Sequence, residues 1–121
     1  MGNFRVLFLD DRSKRIHSAI KKFADCDLTI VATVVECLRF LSSEEFDYVF
    51  LDHDLGGREF VDPNDKDCGM EVVRYLENGW IPGKKKPDFV IHSSNSFAAY
   101  GMENRLRNAG YEVSRKRWEY D

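Results

Sequence analysis

Three short, mostly apolar runs, each followed directly by polar residues, constrain the fold of this chain more than any other feature. The run at residues 4–9 is followed by Asp-Asp, the run at residues 48–51 by Asp-His-Asp, and the run at residues 88–91 by His-Ser-Ser-Asn. Runs of this kind are typical of strands that are buried on both faces of a parallel sheet. The polar residues therefore fall where three predicted strands leave the core.

These polar residues are predicted to converge. In open parallel sheets the ligand site lies at the carboxyl ends of the strands, beside the point where the strand order reverses. If the three runs are neighbouring parallel strands, their polar residues meet in one crevice. The residues expected there are Asp10, Asp11, Asp52, His53, Asp54, His92 and Ser93.

The segment after the first run has the pattern of an amphipathic helix over residues 13–23. Ile16, Ala19, Ile20 and Phe23 recur at helical spacing, and the Lys and Arg residues fall on the other side. We therefore expect the apolar stripe to face the sheet and the basic residues to face water.

The rest of the chain continues to alternate between strand and helix patterns. Further strands are predicted at residues 28–32 and 111–114. Further helices are predicted at residues 34–41, 69–78 and 97–108. A long loop covers residues 53–67, and no residues remain for a full helix after the fifth strand. Alternation with short connections predicts an α/β fold with a doubly wound parallel sheet, in one domain over residues 1–121.

Composition limits the class of protein. No apolar stretch approaches the roughly 18 residues that a membrane span needs, and the N-terminus lacks a signal-peptide pattern, so we expect a cytoplasmic protein without a membrane partner. A net charge of -3 argues against a nucleic-acid partner. The 3 cysteines lack zinc-type spacing, which favours reduced, structural thiols.

The acidic residues at the strand ends predict a metal site. Neighbouring carboxylates raise one another's pKa unless a cation lies between them. Asp10, Asp11 and Asp52 offer the hard oxygen ligands that Mg²⁺ or Mn²⁺ prefers. The simpler interpretation is that the first two carboxylates only cap the following helix.

The histidines and hydroxyl groups suggest phosphate chemistry. Two imidazoles beside a phosphate, here His53 and His92, can act as base and acid when a cyclic phosphodiester is opened. Residues that could bind phosphate oxygens are Ser93, Ser94 and Asn95. Residues of these types are also ordinary helix caps. A basic residue from the segment 115–117 could neutralise the charge of the ligand.

With these motifs in place, the chain resembles the receiver domains of two-component response regulators over nearly its whole length. Residues 8–11, Phe-Leu-Asp-Asp, resemble the acidic pair after the first receiver strand, and Asp52 stands where receivers carry the phosphoacceptor aspartate. Gly69 resembles the glycine at the start of a receiver helix. The resemblance implies a flavodoxin-like three-layer sandwich with five parallel strands in the order 2-1-3-4-5, here without the final helix.

The departures from receivers are similar to those of a divergent branch, the cyclic-phosphate-processing receivers. The matching motifs are Leu-Asp-His-Asp-Leu at residues 51–55 and His-Ser at residues 92–93. His92 replaces the usual switch Thr or Ser, and the loop before Gly69 is longer than in common receivers. The resemblance implies that Asp54 supplies a further metal ligand through its backbone carbonyl. Arg115, Lys116 and Arg117 all lie near the expected place of the receiver lysine, and analogy with receivers favours Lys116.

The leading hypothesis is therefore metal-dependent, phosphoesterase-like processing of a small cyclic or nucleotide-type phosphate. The alternatives are a signalling receiver phosphorylated on Asp52 and a degenerate receiver that only binds. Because the closing helix is missing, Trp118 and Tyr120, or the second subunit of a homodimer, should cover the open sheet face.

Overall fold

The structure is a computed structural model that describes residues 4–118. Within them the strands are β1 (Arg5–Leu9), β2 (Asp27–Val31), β3 (Tyr48–Leu51), β4 (Asp88–Ile91) and β5 (Val113–Arg115). The helices are α1 (Ser13–Lys22), α2 (Val34–Ser43), α3 (Gly69–Glu77) and α4 (Ser96–Asn108). In this part of the chain, no helix has both the length and the apolar character to span a membrane.

All strands are parallel, and their order is β2-β1-β3-β4-β5, as predicted. Leu9 pairs with Leu51, and Leu51 pairs with Ile91, so the three apolar runs end at the same level. Backbone hydrogen bonds extend this ladder by one residue, from the N–H of Asp52 to Leu9 and from the N–H of His92 to Leu51. The register therefore places the polar residues side by side at one edge of the sheet.

One predicted strand begins later than expected. Residues 111–114 were expected to be extended, but β5 starts at Val113. Tyr111 instead completes the end of α4, because its N–H donates to the carbonyl of Leu106 and its hydroxyl donates to the carbonyl of Leu76. Tyr111 therefore belongs to the end of α4, and the strand begins two residues later.

The two faces of the sheet are covered differently. Leu7, Leu9, Val49 and Leu51 point into the main apolar core, which also contains residues of α2, α3 and α4. The alternate residues of the same strands point to the other face, which α1 covers in part. Residues 4–118 contain no helix after β5 that could cover the remainder of that second face.

Trp118 covers part of the second face, as expected. Its ring lies 5.3 Å from that of Phe8, 6.2 Å from that of Phe50 and 5.6 Å from that of His92, measured between ring centroids. One indole thus supplies aromatic contacts that a helix would otherwise make. Tyr120 lies outside the described residues, and a homodimer through this face stays a prediction.

Candidate functional site

The three predicted carboxylates form one cluster. Oxygen atoms of Asp10, Asp11 and Asp52 lie within 4.8 Å of one another. Asp10 and Asp52 are buried, whereas Asp11 is half-buried and accepts a hydrogen bond from the N–H of Gly57. Three hard oxygen donors around one point fit Mg²⁺ or Mn²⁺. Asp10 also accepts from the N–H of Arg12, the residue that precedes α1, but no side chain of the described residues caps the first turn of α1, so the capping alternative is not realised there.

A buried arginine lies inside the cluster. Nε of Arg15 donates to Oδ2 of Asp10 at 2.5 Å. Nη2 of the same guanidinium donates to Oδ1 of Asp10 at 3.1 Å and to Oδ2 of Asp52 at 3.0 Å. Arg15 is only 5% exposed. A cationic group thus already occupies the position between two buried carboxylates, which supports the inference that the cluster is built to hold positive charge.

Arg15 was missed by the sequence analysis. We expected this helix to expose its basic residues and to bury Ile20. In the structure Arg15 is buried and Ile20 is half exposed. The helix is therefore rotated relative to the expectation, so that its guanidinium reaches the buried carboxylates of Asp10 and Asp52. The available sequence signal was the spacing of Arg15 one helical turn after the Asp-Asp pair.

The two buried carboxylates have opposite pKa shifts. Burial raises the pKa of Asp10, but hydrogen bonds from His92 and Arg15 outweigh burial and lower it to about 2. Burial, together with repulsion by Asp10, raises the pKa of Asp52 to about 7, and Arg15 offsets this only in part. In the metal-free protein one carboxylate is thus charged while the other titrates near neutral pH.

His92 belongs to the same cluster. Its Nε2 lies 2.9 Å from Oδ2 of Asp10, and its ring stacks on Phe8 with centroids 4.9 Å apart. Burial lowers the pKa of the imidazole, and the neighbouring Arg15 lowers it further, although Asp10 opposes both. The neutral ring therefore donates from Nε2 to Asp10. Its Nδ1 is buried and has no hydrogen-bond partner among residues 4–118.

His53 lies elsewhere, which differs from the prediction that both imidazoles share one crevice. It is fully buried, with Nδ1 2.7 Å from Oδ1 of Asp54 and the ring against the thiol of Cys68 at the start of α3. Successive residues of an extended backbone point in opposite directions. Because Asp52 points into the cluster, His53 points away from it. A role of His53 in turnover stays a prediction.

Asp54 anchors the long loop through its side chain. Its carboxylate accepts hydrogen bonds from the N–H groups of Phe60 and Val61 and from Nδ2 of Asn95. Phe60 has a φ of 51°, an uncommon conformation for a bulky residue, and this carboxylate holds it. Asn95 also caps α4 by accepting from Ala98, so the capping alternative is realised there. Metal ligation by the Asp54 carbonyl stays a prediction.

A basic cavity adjoins the cluster. The cavity has a volume of about 550 Å³, and it includes His92, Trp118 and the hydroxyl residues Ser93, Ser94 and Ser96 in its lining. Its charged lining residues are all basic: Arg12, Arg15, Arg115, Lys116 and Arg117. Ser93 lies near enough to the carboxylate of Asp52 to lower its pKa. Of the predicted phosphate ligands, Ser93, Ser94 and Lys116 line this cavity, whereas Asn95 does not.

Gly69 explains how α3 packs against the site. A Cβ atom at this position would lie 2.0 Å from the carbonyl oxygen of Asp52, and the N–H of Gly69 donates to the carbonyl of His53. Any side chain would therefore displace the end of β3 that carries Asp52. This close approach gives a physical reason for the receiver-like glycine at the helix start.

Solved structures with the same fold are receiver domains. A CheY-like receiver from Methanospirillum hungatei is 20% identical, has a TM-score of 0.66 and aligns with 98% of this chain and 85% of its own. One from Methylobacillus flagellatus is 16% identical, has a TM-score of 0.63 and aligns over 99% and 90%. A Burkholderia pseudomallei response regulator with a phosphorylated aspartic acid, calcium ion and citrate is 15% identical, has a TM-score of 0.65 and aligns over 97% and 62%.

These similarities confirm the flavodoxin-like receiver fold without the last helix. Among curated proteins there is no match. The family described as the cyclic-phosphate processing Receiver domain matches residues 5–108, a span that includes the carboxylate cluster and both histidine motifs. The chain belongs to this family of cyclic-phosphate processing receiver domains.

Proposed function

We propose that this domain processes a small cyclic or nucleotide-type phosphate in a metal-dependent, phosphoesterase-like reaction. The observation that carries the proposal is the junction between the carboxylate cluster and the basic cavity. Arg15 and His92 each contact a carboxylate of the cluster, and each also lines the cavity. An anion bound in the cavity would thus lie beside the cation site.

The chain offers a separate role for each part of this junction. Asp10, Asp11 and Asp52 would hold Mg²⁺ or Mn²⁺, which supplies Lewis-acid polarisation of a phosphoryl oxygen when bound. The hydroxyls of Ser93 and Ser94 and the cations around Lys116 bind phosphate oxygens. A volume of about 550 Å³ suits a ligand of nucleotide size, since ligand pockets commonly measure about 300–1,000 Å³.

His92 is the imidazole that this proposal uses to move a proton. It lines the cavity, and its Nε2 is committed to Asp10, which fixes the tautomer and leaves Nδ1 to accept a proton. His53 is enclosed beneath the long loop and forms no part of the cavity lining. We assign its contribution to holding that loop.

The test is incubation with Mg²⁺ and a panel of 2′,3′-cyclic, 3′,5′-cyclic and ADP-ribose cyclic phosphates. Ring-opened product that disappears with a chelator and with Asp11→Asn supports the proposal. Arg58→Gln is a matched control, because it changes an exposed charge on the long loop that pairs with Asp65 rather than with the cluster. The absence of ring opening across the panel, with folded protein and bound metal, would contradict the proposal.

The second candidate is a signalling receiver that accepts a phosphoryl group on Asp52. The proximity of Ser93 to Asp52 favours it, because a small hydroxyl near the acceptor carboxylate could follow the phosphoryl group. Incubation with acetyl phosphate followed by intact-mass measurement tests this candidate, with Asp52→Asn as the control. A stable, acid-labile phosphoryl adduct that the variant lacks would favour signalling over turnover.

A further inference from the structure

Arg15 belongs to both halves of the site. Its guanidinium bridges Asp10 and Asp52, and the same residue lines the basic cavity. Its side chain is 7% exposed, and the two carboxylates are 0% and 1% exposed. Its single positive charge compensates the negative charge of the two carboxylates only in part, since the pKa of Asp52 stays raised to about 7. The acidic cluster therefore already holds one cation in the folded chain.

A divalent cation at the cluster must compete with this guanidinium. Arg15 uses both oxygens of Asp10 and Oδ2 of Asp52, and these atoms belong to the predicted ligand set. Two cations at such close range in a buried site also repel one another strongly. Metal binding therefore requires Arg15 to release at least part of its hold on the carboxylates.

An anion bound in the basic cavity would stabilise the released guanidinium of Arg15. Lys116 and Arg117, which also line the cavity, form no ion pair among residues 4–118. Without an anion, a third cation moved towards them would meet only repulsion. With an anion bound, the same movement would add a charge-assisted hydrogen bond.

We propose that Arg15 is an internal counter-ion that couples the two ligands of the site. A divalent metal displaces it from Asp10 and Asp52, and an anion in the basic cavity binds the displaced guanidinium. The metal and the anion therefore raise each other's affinity, and by thermodynamic linkage the two effects are equal. This coupling rests on the proposed function, since it assumes that metal and phosphate share the site.

Arg15→Gln tests the counter-ion role, and Arg12→Gln is its matched control. Arg12 lines the same cavity and carries the same charge, but its side chain pairs with Glu59 and does not contact the carboxylates. If removal of Arg15 impairs folding, Arg15→Lys gives a second test. It keeps the charge but cannot bridge two carboxylates as a guanidinium does, so it should change metal affinity in the same direction by less.

The measurement is Mn²⁺ binding, followed by the loss of the free-ion electron paramagnetic resonance signal, with and without sulfate. Sulfate is a tetrahedral dianion that keeps Mn²⁺ in solution. In the unmodified protein we expect sulfate to tighten Mn²⁺ binding by roughly fivefold or more. In Arg15→Gln we expect Mn²⁺ to bind about tenfold more tightly without sulfate, with little further gain when sulfate is added. Arg12→Gln should retain the coupling.

Equal or weaker Mn²⁺ binding in Arg15→Gln, or undiminished coupling to sulfate, would overturn the proposal. So would the lack of Mn²⁺ binding in both proteins. Because these readouts involve no turnover, they separate the two hypotheses. A protein that opens no cyclic phosphate yet shows the expected coupling would refute the proposed function alone. Turnover together with unchanged Mn²⁺ affinity in Arg15→Gln would refute the Arg15 mechanism alone.

Discussion

The site contains two buried histidine–aspartate pairs that look alike and differ in their surroundings. Nε2 of His92 lies 2.9 Å from Asp10, and Nδ1 of His53 lies 2.7 Å from Asp54. Both rings are almost completely buried. Yet the pKa of His92 is lowered from its ordinary value, whereas that of His53 is raised.

Burial and the neighbours of each pair together set these two pKa shifts. Burial lowers the pKa of both imidazoles and is the largest influence on each. At His53, the adjoining Cys68 and Asp54 outweigh burial, and Asp54 has no Lys or Arg partner among the described residues. At His92, Arg15 already neutralises Asp10 and also repels a proton on the ring. Burial, reinforced by the nearby Arg15, therefore keeps the imidazole of His92 neutral, while that of His53 favours the charged form.

The pairs also differ in what they hold. His92 lines the basic cavity and pairs with Asp10 of the carboxylate cluster, so this pair can meet a ligand. His53 and Asp54 connect the end of β3 to the long loop and to α3. Sequence motifs that are similar in composition thus lie beside the proposed ligand site in one case and within the loop architecture in the other.

The largest expected effect is on turnover. His92→Gln should lower kcat/KM for a cyclic phosphate by about 10²–10⁴, the usual cost of losing a general acid or base. His53→Gln should leave most of the activity of the folded protein, because its ring does not line the cavity. Steady-state rates paired with melting temperatures check this. An equal loss in both variants would restore the sequence-based expectation that the two histidines act together.

The next effect is on stability, and it concerns Asp54. Asp54→Ala leaves the N–H groups of Phe60 and Val61 without their acceptor, so we expect the free energy of unfolding to fall by about 2–4 kcal/mol. Asp67→Ala is the control, since it removes an exposed carboxylate from the same loop. Urea denaturation measures both. Similar small losses would show that Asp54 does not anchor the loop.

A smaller effect, an increase in stability rather than a loss, is expected from Asp52→Asn. Its pKa is raised to about 7, so its ionisation destabilises the fold progressively as pH rises from its unfolded value towards 7 and above. In a chelator at about pH 8, Asp52→Asn should therefore be more stable than the unmodified protein by about 1–3 kcal/mol. At about pH 5 the difference should shrink, because the native carboxyl is then protonated. A constant difference across pH would contradict this prediction.

Asp10→Asn provides the contrast at the neighbouring strand end. Because the pKa of Asp10 is lowered to about 2, its charge stabilises the fold above its unfolded value, and this contribution is lost as pH falls through about 2. The variant should therefore be less stable than the unmodified protein at both of the pH values used for Asp52. Stabilisation by both substitutions would mean that Arg15 does not distinguish the two carboxylates.

The smallest effect is the pH dependence of stability that the two histidines contribute. The raised pKa of His53 gives stability that is fully present below its unfolded value, about 6.5, and is lost as pH rises through the folded value. The lowered pKa of His92 acts in the opposite sense and destabilises the fold as pH falls below about 6.5.

Melting temperatures between about pH 7.5 and 5.5 test these signs. On acidification, His92→Gln should lose less stability than the unmodified protein, and His53→Gln should lose more. His17→Gln is the control, because His17 is exposed on α1. Parallel curves for all the variants would show that the surroundings of the two pairs do not govern their protonation.

Much of the fold was predictable from local sequence patterns. The apolar runs predicted β1, β3 and β4, and the helical pattern of residues 34–41 predicted α2, whose first turn Thr33 caps by accepting from the N–H of Glu36. Strand alternation and parallel pairing also predicted that Asp10, Asp11 and Asp52 would meet. These features depend on backbone geometry and short-range periodicity, which a single sequence contains.

The rotation of α1 and the directions of the two imidazoles could not be read in the same way. A hydrophobic pattern assigns Arg15 to water, because it does not include the field of carboxylates that come from two other elements. Likewise, a motif that places His53 after a strand does not say which side of the strand end its ring will occupy.

The sequence by itself determined which residues arrive at the carboxyl ends of the strands, because strand length and pairing follow from the apolar runs. Only the tertiary structure decided that Arg15 enters the carboxylate cluster, that His92 lines the basic cavity and that His53 supports the loop. Those outcomes depend on the balance between burial and electrostatic pairing among groups distant in the chain, and that balance exists only after the chain has folded.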